Sequence, residues 1–310
     1  MTNCVALIDK RAGITSFEAL GEIKRALGTK KVGHTGTLDC FASGLLIALA
    51  GGITRLAPYI TALPKTYRAS ILFGAETDTL DPLGSIERTA PLPNERDFRA
   101  ALGLFTGVIQ QMPPRYSALK IGGKRASDLA RAGRDVTMNP RPVTIYSIQV
   151  TEIQKQMPAN TDSEGENHLV ESAEILVSCS AGTYIRSLAR DIAQSCGSAG
   201  YLDSLRRLCV GGFSVEQAGN SACPALLPMT PALASRCGLI PLTLDAARKK
   251  DFFNGAQIRG EWFAEFSREG TLNGAAHTPC AVFAADGGEF AGAIIFDARE
   301  KKFSYGFSAR

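Results

Sequence analysis

Histidine is scarce in this chain, with three in 310 residues, and none stands at metal-ligand spacing from a cysteine. The eight cysteines are scattered and include no Cys-x-x-Cys pair. A zinc site is therefore not expected, and the thiols read as those of a reduced, cytosolic protein rather than a disulfide frame. No apolar run approaches the ~20 residues that cross a bilayer. The N-terminus lacks a charged segment followed by an apolar core, so no signal peptide is expected. No nucleotide-binding motif is present either.

What remains is an ordinary globular composition, 45% hydrophobic and 21% charged. Its length implies one large domain or a large one plus a small one. A net charge of +4 permits an anionic partner without demanding one. The distribution says more than the total. Between 110 and 141 stand seven Lys or Arg and two acids.

The chain is organised around Gly33 to Gly52. Here a Gly/Thr loop carries one imidazole, His34, and one carboxylate, Asp39, and then enters an apolar run. An aspartate in such a loop either bonds its own backbone as an Asx-turn or is presented into a cleft for chemistry. Upstream, Cys4 to Ile8 reads as a strand, and Thr15-x-x-Glu18 as a capping box opening a helix with Phe17, Leu20, Ile23 and Leu27 on one face. Lys24, Arg25, Lys30 and Lys31 form a basic cluster, either a solvated helix end or a phosphate contact.

Downstream, Leu45 to Ala50 reads as a buried strand. Thr66 to Phe73 alternates as a half-buried one, which puts Tyr67 on its apolar face. Thr77 to Asp81 reads as a hydrogen-bonded loop in preference to a metal site. Asn94 caps a helix running to Phe105. Gln110 to Arg125, rich in Pro, Gly and cations, reads as an irregular surface segment suited to an RNA backbone, or as a basic loop with no partner. Ile145 to Ile153 and Ala173 to Cys179 read as strands, separated by an acidic insertion expected to be mobile. Thr183 is placed to cap a helix, and Arg186, in its first turn against the dipole, calls for an acidic partner. Ala222 to Pro241 reads as a linker. The last ~70 residues read as a small β-rich domain with a hairpin at Asp286-Gly287-Gly288.

Five collinear motifs resemble those of the TruB family of tRNA pseudouridine synthases. They are Leu7–Lys10 with Gly13–Ser16; Gly33 to Gly44 around Asp39; Lys65-Thr-Tyr67 to Gly74 with Thr77-Asp-Thr; Gln111 to Lys120 with Gly123-Lys-Arg125 and Ala130–Gly133; and Gly182 to Arg186 with Leu205-Arg-Arg. They span roughly residues 5 to 215, and the C-terminal portion looks, more loosely, like a PUA-type RNA-binding domain. The resemblance implies an α+β pseudouridine synthase fold with a mixed, largely antiparallel sheet. It implies a catalytic domain over 1–235, an RNA-binding insertion at about 110–141 and a PUA-like domain over 236–310.

The implied activity is cofactor-free isomerisation of the T-loop uridine at tRNA position 55 by a cytoplasmic monomer. Asp39, Tyr67 and Arg186 would be catalytic. His34 would fill the place of the extruded uridine, Tyr184 and Leu205 would flank the pocket, and Lys10, Arg115, Lys120, Lys124, Arg125 and Arg131 would contact substrate. Cys40 and Arg11 stand where the family commonly has proline, Ala181 where it has lysine, and Ala126-Ser127 near a usual aromatic.

The chemistry is consistent with these residue types. Breaking N1–C1′ and rejoining the base through C5 oxidises nothing. It needs an ionised carboxylate, as nucleophile or base, and an arginine favours that form and orients it. Tyr67 offers an aromatic face and a phenolic oxygen, and a stacked base must first be extruded at a cost of a few kcal/mol. The rival readings are a non-catalytic tRNA-binding protein with the same cleft, and a related synthase that works within a guide-RNA complex.

Overall fold

The computed structural model describes residues 3–134, 137–156, 168–264, 276–286 and 288–309. The heart of the acidic insertion, 157–167, lies outside the described residues. The chain divides into two compact units. One comprises Met1–Asp39, Gly44–Leu63 and Cys209–Arg310, the other Cys40–Ser43 and Pro64–Leu208.

In the first unit the run Val5 to Ile8 is apolar without alternation, the pattern of a strand covered on both faces. It forms the middle of β1 (Cys4–Lys10), and all four residues are fully buried. Antiparallel partners flank β1, with β3 (Ser43–Ala50) on one side and β14 (Ala225–Pro228) on the other, so that Cys4 faces both Ala50 and Pro228. The short β2 (Val32–His34) pairs with β3, and His34 stands opposite Ala48. Helix α1 (Ser16–Ala26) begins at the expected capping box, in which Thr15 and Glu18 satisfy each other's backbone amides. Leu20 and Ile23 face inward as expected. Phe17 does not: it is 76% exposed, and the Lys24 ammonium lies 5.9 Å from its ring centre. The buried face runs through Ser16, Ala19, Leu20 and Ile23, and Phe17 falls to one side of it.

The stretch expected to be a linker is structured. It supplies β14 and α6 (Pro231–Arg236), and Met229, Leu233, Ala234 and Cys237 are buried. Its prolines sit where a missing N–H costs nothing: Pro228 ends an edge strand, and Pro231 opens a helix behind the Thr230 cap. After α2 (Ala57–Ala62) and β13 (Phe213–Ser214), the unit ends in a four-stranded sheet ordered β15 (Ile240–Leu244), β16 (His277–Ala284), β17 (Phe290–Asp297) and β18 (Lys302–Ser308). Only its first pair is parallel. One face joins the core of β1 and β3 through Phe283, Phe290 and Phe307. The other face packs Trp262, Phe263 and Phe252, from α7 (Lys249–Phe253) and the loop after it, onto Val282 and Ile294.

The second unit is built on strands in the order β12 (Gly200–Val210), β4 (Lys65–Phe73), β11 (Leu169–Cys179), β10 (Arg141–Gln156) and β7 (Gly107–Gln111). The last two residues of β12 belong to the first unit. The alternation read in β4 and β11 holds: Tyr67, Ala69, Ile71 and Phe73, and Ala173, Ile175, Val177 and Cys179, are the buried sets. The fold is thus α+β, with a mixed and largely antiparallel sheet arrangement. α3 (Glu95–Leu104) is capped by Asn94 and buries Phe98. A β5 (Ala75–Thr77) and β6 (Ile86–Thr89) hairpin precedes it. The segment read as irregular contains a second hairpin, β8 (Lys120–Ile121) with β9 (Lys124–Arg125), and the helix α4 (Ala126–Arg131) follows it. α5 (Ile185–Ser195) carries Arg186 in its first turn. Among the described residues no helix is long and apolar enough to cross a membrane.

Candidate active site

The loop carrying Asp39 is fixed from two sides within the first unit. At its start the Thr35 amide donates to Ile47 O at 2.9 Å, and the Thr61 hydroxyl donates to Thr35 O at 3.0 Å. At its end Leu38 exchanges two bonds with Ser16, the first residue of α1. Leu38 N–H donates to Ser16 Oγ at 2.9 Å, and Ser16 Oγ–H donates to Leu38 O at 3.0 Å. Leu38 and Ser16 are both buried, whereas Asp39 is half-exposed. The chain therefore anchors the residue before Asp39 and leaves Asp39 half-exposed. His34 is half-buried at the other end of the loop, and its Nδ1 accepts from the Gly36 amide at 3.4 Å.

Lys10 lies elsewhere than the sequence reading put it. It is fully buried, and its Nζ donates to Ile14 O at 2.7 Å and Arg11 O at 3.0 Å. It closes the turn before α1 and offers no surface to a nucleic acid.

In the second unit Tyr67 on β4 and Leu205 on β12 are both buried on neighbouring strands. Arg186 is 4% exposed and has the acidic partner its position demanded: Asp81, with Nη1 to Oδ2 at 3.5 Å. The same nitrogen donates to Thr79 O at 2.6 Å, and Nη2 donates to Tyr116 O at 2.9 Å. Asp81 is itself held, accepting from Thr79 Oγ1 at 2.6 Å and Leu83 N–H at 3.0 Å. The reading of Thr77 to Asp81 as a hydrogen-bonded loop is therefore right, and its purpose is to face a guanidinium. The motif resemblance gave Arg186 the aspartate Asp39 as its partner and did not point to Asp81, which stands 105 residues before it.

Thr183 is not the helix cap. Its hydroxyl turns back to Ser180 O at 3.0 Å, and the N-cap residue is Tyr184, which makes no side-chain cap. Tyr184 is half-buried. The surface cations of the basic segment, Arg115, Lys120, Lys124, Arg125 and Arg131, are all exposed as expected. Arg131 makes only a loose contact with Asp128, at 3.9 Å.

Lys65 and Arg207, both buried, were not singled out as site residues. Lys65 begins β4 opposite Cys179 of β11. Burial, and then the adjoining Arg207 guanidinium, push its ammonium down to about 8, against a smaller opposing pull from Cys179. Burial pushes the Cys179 thiol up to about 11. Among the described residues, no group of three or more His, Cys, Asp or Glu is placed to hold a metal.

Comparison with known proteins places this architecture. Residues 24–185 match the model of the TruB family pseudouridylate synthase N-terminal domain. A tRNA pseudouridine synthase B from Treponema pallidum (strain Nichols) is 48% identical over 229 residues, which cover 71% of this chain and 63% of that protein's own length. Its namesake from Treponema denticola is 39% identical over 308 residues, with 84% and 85% covered. That from Arthrobacter sp. (strain FB24) is 36% identical over 294 residues, with 93% and 91% covered. The crystal structure of the archaeal box H/ACA sRNP Nop10-Cbf5 complex shares the fold at a TM-score of 0.67 and 20% identity, covering 97% of this chain and 84% of that one. By its matched domain and by these relatives, the chain belongs to the TruB family of pseudouridylate synthases.

Proposed function

We propose that this chain converts the T-loop uridine at position 55 of tRNA to pseudouridine, acting as a cytoplasmic monomer without a cofactor. The observation that carries the reading is the Asp39 loop, a half-exposed aspartate on a backbone pinned by Ser16 and Thr61. A preorganised group of this kind spends no free energy on ordering when substrate arrives.

Asp39 supplies the ionised oxygen that the isomerisation needs. An arginine favours the ionised form of such a carboxylate, and Arg186 carries that role by its match to the family's motif. The uridine leaves its stack, His34 takes the vacated place, and Tyr67 lies against the uracil with Tyr184 and Leu205 at its edges. The N1–C1′ bond breaks, the base turns, C5 bonds to C1′, the proton once on C5 passes to solvent, and N1 takes up a proton in its place. Arg115, Lys120, Lys124, Arg125 and Arg131 meet phosphates, and the segment around them closes on the RNA. Residues 236–310 act as a PUA-like module on the tRNA, and 1–235 form the catalytic domain.

The test uses transcript tRNA labelled with tritium at uridine C5. The purified chain alone releases tritium, and Asp39→Asn binds tRNA as tightly but releases none. Binding without release by the wild type would favour a tRNA-binding protein, and a requirement for added guide RNA would favour the other rival. Mapping the product nucleotide decides the position.

A further inference from the structure

Gln111 ends β7 at the root of the basic segment and is 1% exposed. Its side-chain amide is engaged twice by one residue. Oε1 accepts from the Tyr184 amide at 2.8 Å, and Nε2 donates to the Tyr184 carbonyl at 3.1 Å. The first turn of a helix has backbone amides without partners inside the helix, and a serine or aspartate at the N-cap normally serves one of them. Tyr184, the N-cap here, has no such side chain to give. A glutamine 73 positions earlier bonds its backbone instead.

The residues after Gln111 continue the attachment. Pro113 and Pro114 have no amide to donate, and the carbonyls around them are taken by α5. Met112 O accepts from Ser187 Oγ at 2.8 Å and Arg190 Nη2 at 3.1 Å, and Tyr116 O accepts from Arg186 at 2.9 Å. Every tie runs from the root of the segment to the first two turns of one helix. That helix carries Arg186, and Tyr184 is its cap.

We infer that Gln111 is a positioning residue which fastens the RNA-facing segment to the start of α5, so that the placement of Tyr184 and Arg186 follows the placement of the segment. This rests on the functional reading above, in which those two side chains work at the nucleotide and the segment meets the RNA. Gln111 touches no substrate. It acts by transmitting the position of one part of the site to another.

Glutamate at this position makes a discriminating probe, because its protonated carboxyl reproduces both bonds. The hydroxyl donates to the Tyr184 carbonyl, and the other oxygen accepts from the amide. Ionised, it sets a negative oxygen against a carbonyl. Burial and that carbonyl raise the pKa of such a group. Arg141, its cross-strand partner on β10, and Arg186 and Arg190 on α5 act in the opposite direction.

The experiment uses the full chain as wild type, Gln111→Glu and Gln111→Ala. It measures single-turnover pseudouridine formation at saturating tRNA, tRNA binding by filter retention, and thermal melting. At about pH 8 both variants lose at least tenfold in rate, the factor for one hydrogen bond of ~1.4 kcal/mol, with the larger loss in Gln111→Ala, which gives up both bonds, and tRNA affinity stays within about threefold. As pH falls, the rate of Gln111→Glu relative to wild type recovers, while that of Gln111→Ala stays level.

An active wild type with unaltered rates in both variants overturns the inference. So does a rate, affinity and melting temperature that fall together with no recovery at low pH, the signature of a structural role. A wild type that makes no pseudouridine sinks the functional reading and this role with it.

Discussion

Removing the charge of Asp81 tests whether Arg186 is held where the site needs it. The two side chains are 5% and 9% exposed and lie 3.5 Å apart, so water screens them little. At an effective dielectric of about 20, that separation corresponds to a gross attraction of about 5 kcal/mol. Truncating one partner of a buried pair costs about 3–5 kcal/mol, mostly because the other charge is left uncompensated. Asp81→Asn keeps an acceptor for the Leu83 amide and the Thr79 hydroxyl, and the Thr79 and Tyr116 carbonyls still hold the guanidinium. The expected loss therefore sits at the lower end, about 3 kcal/mol. Expressed in the transition state, that is about a hundredfold in rate. The assay is tritium release under single-turnover conditions, run beside urea unfolding and tRNA binding. The variant should bind tRNA nearly as the wild type does, form pseudouridine at about a hundredth of the rate, and unfold at lower urea. Wild-type rate and midpoint in Asp81→Asn would refute the reasoning, since the pair would then hold nothing.

Three further outcomes follow from local physics. The folded-state pKa of Lys65, about 8, lies below the ~10.4 of an unfolded lysine. Between those values the unfolded chain binds more protons, so wild-type stability gains relative to Lys65→Met as pH rises from about 8 to 10. Urea midpoints of the two proteins across that range should show it. Lys120 and Lys124 are both exposed. Replacing both with alanine should lower the slope of log affinity against log salt by roughly 1.5, at ~0.7 to 0.9 per phosphate contact; an unchanged slope means that neither touches the backbone. Thr15→Ala removes the capping box that opens α1 and should cost about 1–2 kcal/mol in urea unfolding.

Strands and helix starts were legible because they are written in local periodicity and chemistry. The β4 alternation, the Thr15 and Asn94 caps and the Asp286 turn region all depend on residues within a few positions of one another. The stretch 222–241 was not legible, because Pro and Ala say only that a segment lacks strong local preference. Its burial of Leu233 and Cys237 is decided by partners far along the chain. Lys10 misled for a different reason, since both carbonyls it bonds lie within four residues of it. A lysine in one of the collinear motifs reads, by the resemblance, as a substrate contact, and only the fold shows two carbonyls accepting from its ammonium. The candidate site residues were named from the collinear motifs, whereas the contacts of Gln111 and Asp81 span gaps of 73 and 105 residues to Tyr184 and Arg186.

The loop around Asp81 shows what the fold gives up to place that carboxylate. Leu80 is buried with φ near +60°, a conformation that costs a residue bearing a Cβ about 1–2 kcal/mol. The chain keeps it there because the Leu202 amide donates to Leu80 O at 3.2 Å, and Asp81 is locked at both backbone groups by Thr77, through Oγ1 contacts of 3.1 Å to its amide and 2.8 Å to its carbonyl. Gly84 closes the turn where a Cβ would lie 2.3 Å from Thr79 Oγ1, so no other residue fits without moving the threonine that bonds Asp81. Leu80 stands between Thr79 O and the Asp81 carboxylate, and both are ligands of the same guanidinium. Burying the Leu80 side chain is worth about 1.5–3 kcal/mol, enough to offset that strain, so the loop keeps a leucine there while its two acceptors converge on one cation.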